Sequence, residues 1–97
     1  MDTIMTSKLR PVIRRKDGNQ DIIVAALRKV GASVVITHTL GHGMVDIIAA
    51  FMGVNYLIEI KQPGETLTPD EQAFFEAWHG QKAIAYSPEE AIKIVRG

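Results

Sequence analysis

Residues 46–61 constrain the fold of this chain more than any other segment. They include most of two apolar runs, residues 45–51 and 54–60, which flank Met52 and Gly53. Both runs are rich in β-branched and aromatic residues and have the length of strands, so the segment predicts a β-hairpin. Charged residues interrupt the apolar pattern at Asp46, Glu59 and Lys61.

The direction of the Asp46 side chain depends on the length of the hairpin loop. If Met52 and Gly53 form a two-residue loop, Asp46 lies directly opposite Glu59. If the loop covers residues 52–55, Asp46 lies opposite Lys61. Because side chains alternate along a strand, either loop places all the charged side chains on one face. A three-residue loop without a bulge would place Asp46 on the other face.

Two carboxylates and an ammonium group on one face of the hairpin do not favour folding by themselves. Like charges at cross-strand positions, with Cβ atoms roughly 5 Å apart, destabilise a hairpin. A divalent cation would reverse the sign of this interaction, and hard cations such as Mg²⁺ prefer carboxylate and carbonyl oxygen. A lysine beside the metal could orient or deprotonate a metal-bound water. The alternative, which spacing alone favours, is an Asp near a turn and a Glu–Lys pair on a solvated face.

The pattern resembles the core of the PD-(D/E)XK nucleases. Asp46 takes the first acidic position, and Glu59, Ile60 and Lys61 match the (D/E)-X-K motif. With its flanking helices and a Gly-rich turn before Asp46, the resemblance covers about residues 18–95. The closer match is to the small VRR-NUC family and the related archaeal-type Holliday junction resolvases. The resemblance implies an α/β, restriction-endonuclease-like fold, with a mixed central sheet flanked by helices.

The resemblance also implies a metal site on the hairpin. Asp46 and Glu59 would hold Mg²⁺ or Mn²⁺, and the main-chain carbonyl of Ile60 would complete the protein ligands. Lys61 would position the attacking water or stabilise developing charge. Gln20 stands where junction-resolving relatives carry a helix glutamate, so it is a candidate catalytic residue that brings no charge.

Other residues are candidates for contacts with DNA. Gln72 matches a glutamine that relatives carry after a Leu-Thr/Ser-Pro helix start, where it would hold a phosphate or a water. His42 lies in the Gly-rich turn and could reach a substrate phosphate, although a lone loop histidine is more often simply exposed. Arg14, Arg15 and Lys16 end a basic cluster that suits phosphate contacts. The alternative for this cluster is a solvated, poorly ordered terminus.

Periodicity and capping signals predict the element order α-β-β-β-α-β-α. The predicted elements are a helix over residues 19–30, strands over 32–39, 45–51 and 54–60, a helix over 69–79, a buried strand over 82–86 and a helix from 88. Thr68 and Pro69 mark the start of the second helix, and Phe74, Phe75 and Trp78 are its expected core face. We therefore divide the chain into a basic N-terminal arm, residues 1–17, and a single nuclease-like domain, residues 18–97.

Composition limits the other possibilities. The chain has 97 residues, 46% of them hydrophobic, which is typical of one globular domain. It has no cysteine, which excludes disulfides, Cys-ligated zinc and thiol catalysis. No apolar run approaches the roughly 20 residues that span a bilayer, and no signal peptide is evident, so we expect a cytoplasmic protein. The net charge is zero, but basic residues concentrate near the start and acidic residues between 65 and 90.

The expected function is metal-dependent endonucleolytic cleavage of DNA, with a preference for Holliday junctions or other branched DNA. We expect a homodimer of two-fold symmetry, because cutting two strands of a junction symmetrically needs two sites. Two alternatives remain open. One is a non-catalytic nucleic-acid-binding module that retains the nuclease fold, which Gln20 in place of glutamate would support. The other is a small protein-interaction domain that uses the acidic second half.

Overall fold

The computed structural model describes residues 15–97, and their side chains from residue 18 onward. The elements are α1 (Arg15–Lys29), β1 (Ser33–Ile36), a short 3₁₀ helix (His38–Leu40), β2 (Ile47–Phe51), β3 (Val54–Ile60), α2 (Pro69–Ala77), β4 (Lys82–Ala85) and α3 (Pro88–Arg96). This confirms the predicted order α-β-β-β-α-β-α. No helix within the described residues is long and apolar enough to cross a membrane.

The strands form one mixed sheet in the order β1-β2-β3-β4. β1 pairs with β2, and β2 with β3, in the antiparallel direction, whereas β3 and β4 are parallel. Parallel neighbours need a crossover connection, and the segment that contains α2 supplies it. The predicted mixed sheet is therefore confirmed.

The β2–β3 hairpin has the two-residue loop. Phe51 pairs with Val54, so Met52 and Gly53 alone form the connection. Both have positive φ angles, +52° and +81°. This combination defines the type I′ turn, whose twist matches that of the flanking strands. Continuing the register by one residue from the Ile47–Ile58 pair places Asp46 opposite Glu59.

One face of the sheet carries the hydrophobic core. Its fully buried strand residues pack with apolar residues of α1 and α3: Ile47, Ala49, Ile58 and Ile60 with Ile23, Leu27, Ala91 and Val95. Full burial of an isoleucine or leucine side chain contributes about 1.5–3 kcal/mol relative to exposure. Because side chains alternate between the two faces along β2 and β3, the charged residues lie on the opposite face of the sheet.

Several predicted boundaries are wrong. α1 begins at Arg15 rather than near residue 19, so the turn-like residues 17–19 lie inside a helix. β1 ends at Ile36, because the N–H groups of Thr37 and His38 both donate to the carbonyl of Asp46 and the chain turns into the 3₁₀ helix. β4 is an edge strand in which Ala85 is the buried residue, rather than a buried strand.

The start of α2 was predicted correctly, but its aromatic core face was not. Thr68 is the N-cap and Pro69 the first residue of the helix. No residue of α2 is buried, and Trp78 is 40% exposed. Trp78 leaves the helical face because the helix ends at Ala77 and the backbone angles of Trp78 are extended. Phe74 and Phe75 are half-buried. The Trp78 ring stacks on that of Phe74, with centroids 5.7 Å apart.

Candidate active site

Asp46, Glu59 and Lys61 are all buried, with 2%, 1% and 4% of their surfaces exposed. Moving charged groups out of water is unfavourable, and their mutual attraction offsets this only when the geometry is good. A domain of this size has little stability to spare. A concentration of buried charge of this kind is therefore typical of a functional site.

Main-chain hydrogen bonds hold Asp46 from two directions. Its carboxylate accepts a hydrogen bond of 2.8 Å from the N–H of Ile60. Its carbonyl accepts from the N–H groups of Thr37, at 2.8 Å, and His38, at 3.2 Å. The Thr37 hydroxyl donates to the carbonyl of Val45 at 2.7 Å and so holds the main chain just before Asp46 in place. These contacts tie β1, β2 and β3 together at one point.

Lys61 lies between two glutamates. Its Nζ is 2.7 Å from Oε1 of Glu71 and 3.6 Å from Oε2 of Glu59. Glu71 belongs to the first turn of α2, so the start of this helix closes one side of the site. The sequence pattern does not indicate Glu71 as a site residue.

A capping box fixes the position of Glu71. The Thr68 hydroxyl accepts a 3.2 Å hydrogen bond from the N–H of Glu71, and Oε1 of Glu71 accepts one of 2.9 Å from the N–H of Thr68. Burial alone would raise the pKa of Glu71. Hydrogen bonds with Lys61, the Thr68 main chain and Glu59, together with the Lys61 charge, instead lower the pKa to about 2. Glu71 is therefore a carboxylate at neutral pH.

The same contacts keep Lys61 charged. Burial would lower the pKa of Lys61, but its hydrogen bond with Glu71 and the charges of Glu71, Glu59 and Glu65 more than offset this effect, so the pKa is raised. An ammonium group donates hydrogen bonds and accepts none. Lys61 is therefore suited to orienting a water or stabilising negative charge, rather than to removing a proton.

A cavity of about 260 Å³ opens beside these residues. Each water takes up about 30 Å³ in the liquid, so the cavity has room for several. Its lining comes from α1, the segment before β2 and the start of α2: Gln20, His38, Gly41, Gly43, Met44, Asp46, Thr68, Asp70 and Glu71. The lining is mainly polar, and two of its carboxylates, Asp46 and Glu71, are charged groups of the site.

Gly43 allows the two sides of the cavity to meet. A Cβ atom there would overlap the carbonyl oxygen of Asp70, in the first turn of α2. The φ angle of Gly43 is +77°, which L residues with side chains rarely adopt. Both observations require glycine at this position. The close approach of Gly43 places the start of α2, with Glu71, over the site.

The structure brings some of the predicted residues together and separates others. Gln20 is 6% exposed and lines the same cavity as Asp46. His42 is exposed, with a φ of +58°, and is not part of the cavity lining. Gln72 is also exposed, and its side chain donates to Glu76 at 2.8 Å. The proposed DNA contacts of His42 and Gln72 stay predictions, and the side chains of Arg14, Arg15 and Lys16 lie outside the described residues.

His38 is a second residue that sequence analysis missed. The sequence predicted a strand over residues 32–39, but His38 lies in the 3₁₀ helix and lines the cavity. Its N–H bond to the Asp46 carbonyl is formed only in the folded chain. No local sequence signal indicates such a contact.

Asp46 and Glu59 could hold a cation through their carboxylates, and Ile60 through its main-chain carbonyl. Within residues 18–97, no three His, Cys, Asp or Glu side chains form a ready metal site. In an antiparallel ladder the N–H and C=O of one residue face the same neighbouring strand. Because the Ile60 N–H faces Asp46, we expect its carbonyl on that side as well. Hard oxygen donors that leave positions for water fit Mg²⁺ or Mn²⁺.

Comparison with solved structures identifies the same fold in a "VRR_NUC domain". The two superpose with a TM-score of 0.71 over 87% of this chain and 97% of that chain, at 14% sequence identity. The chain is therefore an α/β protein with a VRR_NUC-type nuclease fold, as the resemblance implied. At this identity the likeness establishes the fold alone. No family model matches the sequence, and no curated protein matches it either.

Proposed function

We propose that this chain is a metal-dependent endonuclease that hydrolyses phosphodiester bonds of DNA. The observation that carries the proposal is the burial of Asp46, Glu59 and Lys61 together, next to a polar cavity, on a VRR_NUC-type fold. A solvated surface pair, which was the alternative from spacing, does not agree with exposures of 1–4%.

Asp46, Glu59 and the carbonyl of Ile60 would hold Mg²⁺ or Mn²⁺ in this proposal. When bound, such a cation neutralises charge on the scissile phosphate and lowers the pKa of a coordinated water. Lys61 would donate a hydrogen bond to the attacking water, or to the phosphate oxygen on which charge develops. Its raised pKa supports this donor role over that of a general base. The Gln20 amide, buried at the cavity, would orient a water or a phosphate oxygen.

The decisive experiment is a cleavage assay on labelled DNA of several shapes. A four-way junction, a flap, a nicked duplex and an intact duplex are each incubated with Mg²⁺ or Mn²⁺, and with EDTA as the control. We expect internal cuts that need the metal and that disappear in Lys61→Met and Asp46→Asn. Intact DNA in every metal-containing reaction, with folded protein, would contradict the proposal.

A preference for branched DNA and a homodimeric state are finer parts of the proposal. Symmetric cutting of a junction needs two sites, and one small domain offers little surface for branched DNA. The edge strand β1 carries Val35 and Ile36, which are 61% and 44% exposed. Such an edge can pair with another chain. Analytical ultracentrifugation at micromolar concentration should give the mass of two chains, and the mass of one chain would contradict the dimer.

One observation favours a second candidate, a DNA-binding module without catalysis. Gln20, which lines the cavity, is neutral where the resemblance implies a glutamate. A neutral amide can hold a phosphate oxygen without supporting a cation. DNA binding in EDTA, combined with a lack of cleavage in Mg²⁺ and Mn²⁺, would favour this function over the endonuclease.

A further inference from the structure

We infer that Glu71 is a positioning residue: it holds the Lys61 ammonium group in a hydrogen bond, so that Lys61 does not compete with a divalent cation for Glu59. This inference rests on the proposed function, because the cation belongs to that function. It assigns a role to a residue of α2 that lies outside the (D/E)-X-K motif.

The two distances around Lys61 are the first observation. A hydrogen bond from an ammonium nitrogen to an oxygen spans about 2.7–3.2 Å. The 2.7 Å contact with Glu71 falls in this range, whereas the 3.6 Å contact with Glu59 lies beyond it. Lys61 is therefore hydrogen-bonded to Glu71, and its contact with Glu59 is a longer-range charge attraction.

The consequence for a cation follows from simple electrostatics. An ammonium group and a metal ion carry like charges, and their repulsion is strong where water is largely excluded. An ammonium group that is hydrogen-bonded to Glu59 would compete directly with a cation for that carboxylate. The alternative partner, Glu71, removes this competition and still keeps Lys61 near enough to act on a water or a phosphate.

The position of Glu71 does not depend on Lys61. The capping box with Thr68 fixes its side chain through local helix structure. The close approach of Gly43 to Asp70 fixes the first turn of α2 against the segment before Asp46. Glu71 is thus held in place from the helix side, so Lys61 adjusts to Glu71 rather than the reverse.

The test measures Mn²⁺ affinity by calorimetry in the full chain. Glu71→Gln keeps the capping box, because glutamine also serves at this position, but removes the charge. We expect Mn²⁺ binding to weaken on the order of tenfold, a coupling typical of residues in direct contact. Glu76→Gln is the matched control, because it removes an exposed charge from the same helix. It should leave affinity unchanged within about twofold.

A second background separates an effect through Lys61 from a direct effect on the cation. In Lys61→Met the ammonium group is gone, so Glu71→Gln should no longer weaken Mn²⁺ binding. Equal weakening in both backgrounds would mean that Glu71 acts on the cation itself, or through its own hydrogen bond with Glu59, and would overturn the inference. An unchanged affinity in the single Glu71→Gln variant would overturn it as well.

A control for helix capping and a metal-free measurement complete the test. Thr68→Ala removes the hydroxyl of the capping box but keeps the main-chain N–H that holds Oε1 of Glu71. It should therefore lower the melting temperature without changing Mn²⁺ affinity. In a metal-free crystal structure of Glu71→Gln, the Lys61 nitrogen should lie within hydrogen-bonding distance of Glu59. An ammonium group that stays in its present position would contradict the inference. If the wild type binds no Mn²⁺, the proposed endonuclease fails, and the metal-free structure still decides whether Glu71 positions Lys61.

Discussion

The main-chain N–H of Ile60 donates a 2.8 Å hydrogen bond to the carboxylate of Asp46. This contact joins the acidic residue that precedes β2 to β3, the strand that contains Glu59 and that Lys61 directly follows. Asparagine can accept the same hydrogen bond through its side-chain oxygen. Asp46→Asn therefore separates the charge of this residue from its structural contact.

The first prediction is that Asp46→Asn leaves the metal-free protein at least as stable as the wild type. Removing one of two facing carboxylates should relieve repulsion of about 0.5 kcal/mol. The melting temperature should no longer rise with Mn²⁺, because a ligand stabilises only the folded state that binds it. Thermal melts of both proteins, in EDTA and in excess Mn²⁺, check this. The metal site would be contradicted if the variant is destabilised and the melting temperature of the wild type does not change with Mn²⁺.

The second prediction concerns Lys61→Met. Removing one partner of a buried ion pair typically lowers the free energy of unfolding by about 3–5 kcal/mol. Mn²⁺ should restore part of this loss, because the cation supplies positive charge beside Glu59, but cleavage should stay absent. Urea unfolding with and without Mn²⁺ measures both effects. Lys82→Met is the control: among the described residues, this exposed lysine donates to the carbonyls of Phe75 and Trp78 near the end of α2, so its loss should cost about 1 kcal/mol. A Lys61→Met variant as stable as this control would show that the ion pairs contribute little.

The third prediction is a pH dependence of stability that comes from Glu71. Its pKa is lowered from an ordinary value of 4.5 to about 2 in the folded chain. Below pH 4.5 the unfolded chain takes up this proton before the folded chain does, so stability falls with decreasing pH. The contribution is complete above pH 4.5 and disappears as the pH approaches 2. Urea unfolding of the metal-free protein across this range should give a shallower pH slope for Glu71→Gln than for the wild type or Glu76→Gln. Equal slopes in all proteins would contradict the lowered pKa.

The fourth prediction compares two glycines of one loop. Gly41 and Gly43 have φ angles of +74° and +77°, so alanine is strained at both, by about 1–3 kcal/mol. Only at Gly43 does a Cβ atom meet another residue, the carbonyl of Asp70. Gly43→Ala should therefore lose more stability than Gly41→Ala, and it should also weaken Mn²⁺ binding, because α2 must move away from the site. Melting curves and calorimetry of both variants check this. Matching losses in the two variants would mean that α2 adapts to the added methyl group.

The hairpin could be predicted from sequence because its determinants are local. The sequence limited Asp46 to a few positions through the alternation of side chains, the glycine in the loop and the length of the two apolar runs. The two-residue loop of the structure places it opposite Glu59. The start of α2 at Thr68 and Pro69 was also predicted from the sequence. The contact of Glu71 with Lys61 was not, since this depends on how α2 lies against the segment before β2. Trp78 was misplaced because the helical period was extended past Ala77, where the helix ends.

The exposure of α2 affects the order in which parts of the molecule unfold. This helix buries none of its residues, unlike α1 and α3, whose apolar faces pack into the core. Segments with few buried apolar contacts open locally, at free energies well below that of global unfolding. We therefore expect amide protons of α2 to exchange with solvent faster than those of the sheet. On warming, the site should lose Glu71, and with it the anchor of Lys61, while the sheet and its core remain folded.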